Sequence, residues 1–213
     1  MMKEDIIEKY ENSGFNGAFE IEGKVGILVV DFQIGFTDPT QSPLAGDFSE
    51  ELSRTSQLLD KAREKNVPIF FCVVGYGNEN EAGIWFKKVP SLSNLKLGSP
   101  LLEVDPRLKR QSNETLIVKK YASAFAGTNF ASLLIANGIS TLFITGITTS
   151  GCIRASVVDS VQNGIIPFVI KDAVGDRAKE PHESNLFDMQ AKYAELLMCE
   201  EAISFLQNEY SPQ

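Results

Sequence analysis

Histidine is almost missing from this chain: of 213 residues only His182 carries an imidazole. A Ser-His-Asp or Cys-His mechanism would have to pass through that one residue, and a multi-histidine metal site cannot be assembled within one chain. Cysteine is sparse as well. Cys72, Cys152 and Cys199 are odd in number, far apart and without a C-x-x-C pair. That argues against a disulfide framework or a zinc knuckle, and it points to reduced thiols and a cytoplasmic location. There is no Lys/Arg-rich run, only the pairs Lys87-Lys88 and Lys119-Lys120, and the formal net charge is -8. No nucleic-acid partner is expected from such a balance. No apolar stretch is long enough to span a membrane, and the segment Met1 to Tyr10 is acidic and amphipathic, without a signal-peptide apolar region.

What is present suits one globular domain over residues 1–213: 43% hydrophobic and 23% charged residues, with no repeat or linker. Strand-like and helix-like segments alternate. Continuous apolar runs at Val25–Val30 and Val67–Val74 read as strands buried on both faces; Leu116–Val118 reads as a short third strand, Thr141–Ile144 as a buried fourth and Ile165–Ile170 as a fifth. Pro167 places the last of these at an edge, or itself at a strand start. Helical spacing predicts helices over residues 4–12, Phe48–Glu64, Thr128–Asn137, Cys152–Asn163, His182–Leu197 and Ala202–Asn208, with a short sixth strand near Leu196 to Cys199 as a further expectation. Asn66, Gly138 and Gly164 stand where three of the helices should stop. The expected fold is a three-layer α/β/α arrangement, Rossmann-like, around a mostly parallel sheet of five to six strands. Residues 75–98, which hold the single tryptophan Trp85, form a long irregular segment of the kind that serves a site.

Sites in open parallel sheets lie beyond the carboxyl ends of the strands. Three reactive side chains fall there: Asp31 after the first strand, Lys119 after the third, and Cys152 in the turn Gly146-Ile147-Thr148-Thr149-Ser150-Gly151-Cys152 after the fourth. Each alone has a bland explanation, as an ion-pair partner, a surface lysine or a small core residue. Together they make a set. A cysteine at a helix start has its thiolate favoured by the unpaired N–H groups and the helix dipole, and a lysine adds to that. An aspartate can move the proton that a histidine would otherwise carry. Cys72 lies within a strand and Cys199 near the end of the chain, so both read as structural. His182 follows a proline at a helix start and reads as a cap or a solvent-facing residue. Asp172, Asp176 and Arg177 lie in a loop after the fifth strand; they read as a local ion pair or, more sharply, as a loop that brings Arg177 to a substrate carboxylate.

Three stretches carry a family resemblance: Val29-Val30-Asp31-Phe32-Gln33-Ile34-Gly35-Phe36, Val118-Lys119-Lys120-Tyr121-Ala122-Ser123-Ala124-Phe125-Ala126-Gly127-Thr128, and the turn ending in Cys152. In this order they resemble the isochorismatase-like cysteine hydrolases over nearly the whole chain. The resemblance implies the isochorismatase-like hydrolase fold and a catalytic triad of Asp31 as base, Lys119 as charge stabiliser and Cys152 as nucleophile. It further implies a cis peptide between Ile147 and Thr148, with the N–H groups of Thr148 and Cys152 forming an oxyanion hole. Ser150-Gly151-Cys152-Ile153-Arg154-Ala155-Ser156, Asp172-Ala173-Val174-Gly175-Asp176-Arg177-Ala178, Ala82-Gly83-Ile84-Trp85 and Asp105-Pro106-Arg107-Leu108 are similar to the N-carbamoylsarcosine amidase branch, which includes maleamate amidohydrolases. In that branch an arginine at the position of Arg177 holds the substrate carboxylate, and the Thr148 hydroxyl assists.

The activity this implies is hydrolysis of a linear amide or carbamoyl C–N bond in a small carboxylate-bearing molecule through a thioester. No metal or other cofactor is expected, because His182 alone cannot build the aspartate-and-histidine site of the nicotinamidase branch. Relatives of this kind are commonly oligomers, so a homo-oligomer, dimer or tetramer, is expected. The competing readings are an isochorismatase-type or nicotinamidase-like hydrolase with another substrate, and, in another class, a thiol redox or binding protein without hydrolytic activity.

Overall fold

Six strands form the centre of the computed structural model, which describes residues 2–210, with side chains from residue 6 onward. They are β1 (Lys24–Val30), β2 (Ile69–Val74), β3 (Thr115–Lys119), β4 (Ile139–Ile147), β5 (Ile166–Gly175) and β6 (Glu195–Leu197). The sheet order is β3-β2-β1-β4-β5-β6, and every pairing is parallel. The helices are α1 (Met2–Asn12), α2 (Ile34–Thr37), α3 (Ser49–Glu64), α4 (Trp85–Lys88), α5 (Phe130–Ala136), α6 (Arg154–Gln162), α7 (Lys179–Lys192) and α8 (Cys199–Asn208).

Alternation along the strands divides the core into two apolar layers. Ile27 and Val29 of β1 pack with Leu52, Leu58 and Leu59 of α3 and with Ala202 and Leu206 of α8. Leu28 and Val30 face the other way, toward Phe130 and Leu134 of α5, Val157 of α6 and Met189 of α7. Successive residues of a strand point to opposite faces, so a run of consecutive apolar residues is what a sheet covered on both sides requires. The three-layer α/β/α expectation holds, with the sheet at six strands.

The chain order reverses between β1 and β4, the place where open parallel sheets leave a crevice at their carboxyl ends. Two backbone features shape that crevice. Gly146 has φ +118°, and a Cβ there would lie 2.0 Å from the Val30 carbonyl oxygen. Only glycine lets the end of β4 come this close to β1. Asp31 has φ 56°, a left-handed conformation that aspartate tolerates better than most residues, and its N–H donates to the Cys72 carbonyl at 2.9 Å. The kink stops β1 and turns the aspartate into the crevice.

Several boundaries differ from the sequence expectation, each for a physical reason. α7 starts at Lys179 rather than His182, because a proline in the first turn of a helix loses no hydrogen bond. It ends at Lys192, and residues 195–197 leave it to pair with Phe168–Ile170 of β5 as the sixth strand. β5 runs on to Gly175: a register shift after Ile144 lets Val174 and Gly175 rejoin β4 opposite Gly146 and Ile147. Asp172 is therefore in a strand, not a loop. Its Oδ1 accepts from the Cys199 N–H at 2.7 Å, which caps α8 and explains why that helix begins three residues before the expected Ala202. Pro167 is the second residue of β5, one ahead of the first β5–β6 pair, so it stands at a strand start and the strand is not an edge. Cys152 does not open an α-helix; α6 begins at Arg154, after a wider turn.

Candidate active site

Asp31, Lys119 and Cys152 meet at the crevice. Lys119 closes β3, which lies two strands from β1, a span of about 9.6 Å at the usual strand spacing. Its long side chain bridges this gap beneath the end of β2. The Nζ donates to Asp31 Oδ2 at 2.8 Å, to the Tyr121 carbonyl at 3.1 Å and to Cys152 Sγ at 3.3 Å. An ammonium has three protons, so all three are used. Lys119 is 0% and Asp31 1% exposed. Asp31 Oδ1, the oxygen that does not face the lysine, is buried and has no hydrogen-bond partner. The Cys152 thiol stands close enough to this carboxylate to favour its charged form.

The electrostatics correct one expectation. Burial, and next the Asp31 carboxylate, push the Cys152 thiol up to about 12, and the nearby Lys119 ammonium only partly offsets them. Burial and the carboxylate thus work against the thiolate that a helix start favours. Burial also raises the Asp31 carboxyl above its usual range, against the pull of Lys119. For Lys119 burial acts against the charge, but Asp31, Cys152 and Cys72 outweigh it and keep the ammonium firmly protonated. The site thus joins the Lys119 ammonium, the Asp31 carboxyl group with one unpartnered buried oxygen, and a thiol whose ionisation burial opposes.

The turn carrying the thiol is wound more widely than an α-helix. The Thr148 carbonyl accepts from Gly151 N–H at 2.9 Å and from Ile153 N–H at 3.2 Å, the second spanning five residues. The Ile147–Thr148 peptide is cis, as the family resemblance implies. Among the described residues the Thr148 N–H has no hydrogen-bond partner, and the Cys152 N–H makes none outside its own turn. Ser156 Oγ, one turn along, accepts from the Ala124 N–H at 3.0 Å and ties the loop after Lys119 to α6.

A cavity of about 400 Å³ opens over these groups, lined by Asp31, Thr148, Gly151 and Cys152 at its floor. Phe36, Leu44, Trp85, Val89 and Leu92 make apolar walls, and Arg177 stands at its margin. Arg177 is exposed, and its guanidinium donates to the Leu44 carbonyl, which aims the fork along the cavity wall. The segment 75–98 thus supplies one wall. It is held by Lys120, whose ammonium donates to the Gly75 carbonyl at 2.6 Å and pairs with Glu81. Trp85 lies parallel to Tyr121, ring centroids 6.5 Å apart.

Three residues near the site carry functions that sequence reasoning did not assign. Gln33 is fully buried, and its amide both donates to and accepts from the Val74 backbone, at 3.0 and 2.6 Å, fixing the end of β2 beside Asp31. Its place in the first motif was the only signal. His182 neither caps a helix nor faces only solvent: its Nδ1 hydrogen-bonds Thr149 Oγ1 at 2.8 Å, on the turn that holds Cys152. Asp176 Oδ2 accepts from the Ser150 N–H of the same turn at 2.7 Å.

Comparison with known proteins identifies the family. Residues 25–201 match the isochorismatase domain model. The chain is 34% identical over 187 residues to a maleamate amidohydrolase of Pseudomonas putida, covering 87% of this chain and 88% of that protein. The chain belongs to the isochorismatase family. An N-carbamoylsarcosine amidase of an Arthrobacter species is 28% identical over 203 residues, 92% of this chain and 76% of that one. Among solved structures, a cysteine hydrolase from Pseudomonas syringae superposes with a TM-score of 0.83 at 21% identity, over 88% of this chain and 94% of that chain, a likeness of fold. This isochorismatase-family hydrolase has no helix among the described residues long and apolar enough to cross a membrane. Nor do three or more His, Cys, Asp or Glu side chains among those residues converge as metal ligands.

The resting state of the thiol has a measurable consequence. The reaction of Cys152 with iodoacetamide is expected to lack a plateau near neutral pH and to go on rising above pH 9, toward the value of about 12. Cys72 and Cys199 are buried and stay slow. Alkylation followed by peptide mass spectrometry checks this; a rate that levels off below pH 7 would mean a resting thiolate.

Proposed function

We propose that this isochorismatase-family hydrolase is a cysteine amidase that cleaves a linear amide or carbamoyl C–N bond in a small carboxylate-bearing substrate. The carrying observation is the buried, unpartnered Oδ1 of Asp31 in a cluster with the Cys152 thiol and a lysine whose three protons are committed. The relatives named maleamate amidohydrolase and N-carbamoylsarcosine amidase support the reaction class.

The steps follow from the charges. Cys152 Sγ attacks the amide carbon as its proton passes to Asp31, so the C–S bond forms without a free thiolate. The substrate oxygen, now negative, takes the unpaired N–H of Thr148 and that of Cys152. Asp31 returns the proton to the nitrogen, the C–N bond breaks, and ammonia or an amine leaves. Water then gives a proton to Asp31 as it attacks the thioester; the C–S bond breaks, and the proton goes back to sulfur. Lys119 keeps its charge throughout and holds the Asp31 carboxylate in place. Arg177 grips the substrate carboxylate with its planar fork, and the Thr148 hydroxyl assists at the floor of the cavity.

Arg177→Ala tests the substrate class. Charge-assisted hydrogen bonds contribute about 1.5–3 kcal/mol, so KM for an acidic amide is expected to rise roughly 10- to 150-fold. A neutral amide of the same length should be turned over as by the unaltered enzyme. Steady-state ammonia release from maleamate, N-carbamoylsarcosine and a neutral counterpart reads this; equal losses on both kinds of substrate would remove Arg177 from carboxylate binding.

A further inference from the structure

One carboxylate joins the two halves of this site. Asp176 Oδ2 accepts from the Ser150 N–H at 2.7 Å, and Asp176 Oδ1 accepts from the Arg177 N–H at 2.8 Å. Ser150 is the midpoint of the turn from Thr148 to Cys152. Arg177 begins the approach to α7 and points its guanidinium at the cavity margin. The turn's own bonds, from the Thr148 carbonyl to Gly151 and Ile153, fix its curvature. The β4–β5 pairing of Ile147 with Gly175 brings the start of the turn close to Arg177, and the Asp176 bond to Ser150 is the side-chain tie beyond that last pair. Packing inside the turn is already tight: a Cβ on Gly151 would lie 2.8 Å from Thr148 Oγ1. The tether at Ser150 holds the turn midway between Thr148 and Cys152. His182 touches the same turn at Thr149 but makes no bond to Arg177.

We propose that Asp176 is a positioning residue that sets the oxyanion turn and locks it to Arg177. The distance between the substrate's carboxylate grip and the attacking sulfur is thereby held constant. The inference rests on the amidase reading given above. N–H bonds to a carboxylate are shorter and stronger than those to a neutral acceptor, which suits a tether. A displacement of about 1 Å at a reacting centre can cost on the order of 100-fold in rate.

Asp176→Ala is expected to lower kcat on maleamate roughly 10- to 100-fold at 25 °C. Asp176→Asn keeps one acceptor oxygen and is expected to fall between that variant and the unaltered enzyme. Hydrogen exchange followed by mass spectrometry, without substrate, is expected to show the peptide around residues 146–153 exchanging at least about tenfold faster in Asp176→Ala, with β1 and β4 up to Ile144 unchanged. If kcat stays within twofold while only the melting temperature falls, Asp176 is merely structural and the proposal is overturned. If Asp176→Ala does not fold, Asp176→Asn is judged by the same limit. Should the unaltered enzyme release no ammonia, or Cys152→Ala release as much, the amidase reading fails. The tether then stands or falls on the exchange data alone, and unchanged exchange in the 146–153 peptide overturns it.

Discussion

Cys152→Ala is expected to reduce amide turnover by about 10⁴-fold or more and to leave the fold intact. Removing the nucleophile of a residue set that acts as a unit costs about as much as removing the whole set, and what remains comes from binding and the oxyanion hole. The fold should survive because Cys152 is only partly buried and the turn is tied at Thr148, Thr149 and Ser150 by bonds that do not involve sulfur. The Lys119 ammonium loses one weak acceptor and keeps Asp31 and Tyr121. Cys152→Ser is the sharper comparison. A hydroxyl is smaller and a poorer nucleophile, and Asp31, poised for a thiol, must now take a proton from a far weaker acid. It should therefore also be essentially inactive. Ammonia release and intact-protein mass spectrometry after rapid quench decide the matter: the unaltered enzyme should show an acyl adduct on Cys152, and the variants none. Turnover by Cys152→Ala within tenfold of the unaltered enzyme would exclude the thioester route.

Asp31 and Lys119 were legible in the sequence because each is a charged side chain at the end of an apolar run, where burial is costly unless the group has a partner or a task, and Cys152 because it sits in the Gly/Ser/Thr-rich turn after β4. Lys119 shows the strength of that signal. It is fully buried in a site two strands away from its carboxylate partner, and only its place at the end of Leu116-Ile117-Val118 marked it. The central strands were legible because double-sided burial leaves continuous apolar runs; β3, at the edge of the sheet, leaves Leu116 and Val118 exposed on one face. What escaped was set by tertiary contact alone. Asp176 meets Ser150 across 26 residues and His182 meets Thr149 across 33, and neither pair has local periodicity to reveal it. The burial and the Asp31 carboxylate that oppose ionisation of Cys152 escaped because helix-start reasoning counts nearby N–H groups only. The last turn of the expected helix through Leu197 was misplaced because a three-residue, half-buried strand carries no alternation long enough to separate it from a helix end.

Lys119→Met removes the counter-ion from a buried carboxylate and is expected to have the largest effect on stability. Deleting one partner of a buried ion pair costs about 3–5 kcal/mol. For a chain of this size that is roughly a 6–20 °C fall in melting temperature. The sign of the pH dependence follows from Asp31. Burial already raises its carboxyl above the usual range, and losing Lys119 removes the main influence that lowers it. A group whose folded value lies above its unfolded value stabilises fully below the unfolded value, near 3.9 for aspartate. That stabilisation is lost as pH rises through the folded value. The deficit of Lys119→Met relative to the unaltered enzyme is therefore expected to be smaller near pH 5 than near pH 8. Asp31→Asn combined with Lys119→Met leaves no buried charge and should recover most of the lost stability while remaining inactive, since replacing a whole buried pair is far milder than breaking it. Thermal unfolding followed by circular dichroism at pH 5 and pH 8 measures all three proteins. A single variant that melts within 2 °C of the unaltered enzyme at pH 8 would show that the buried carboxylate does not depend on the lysine for its charge, and the proton cycle through Asp31 would need another counter-ion.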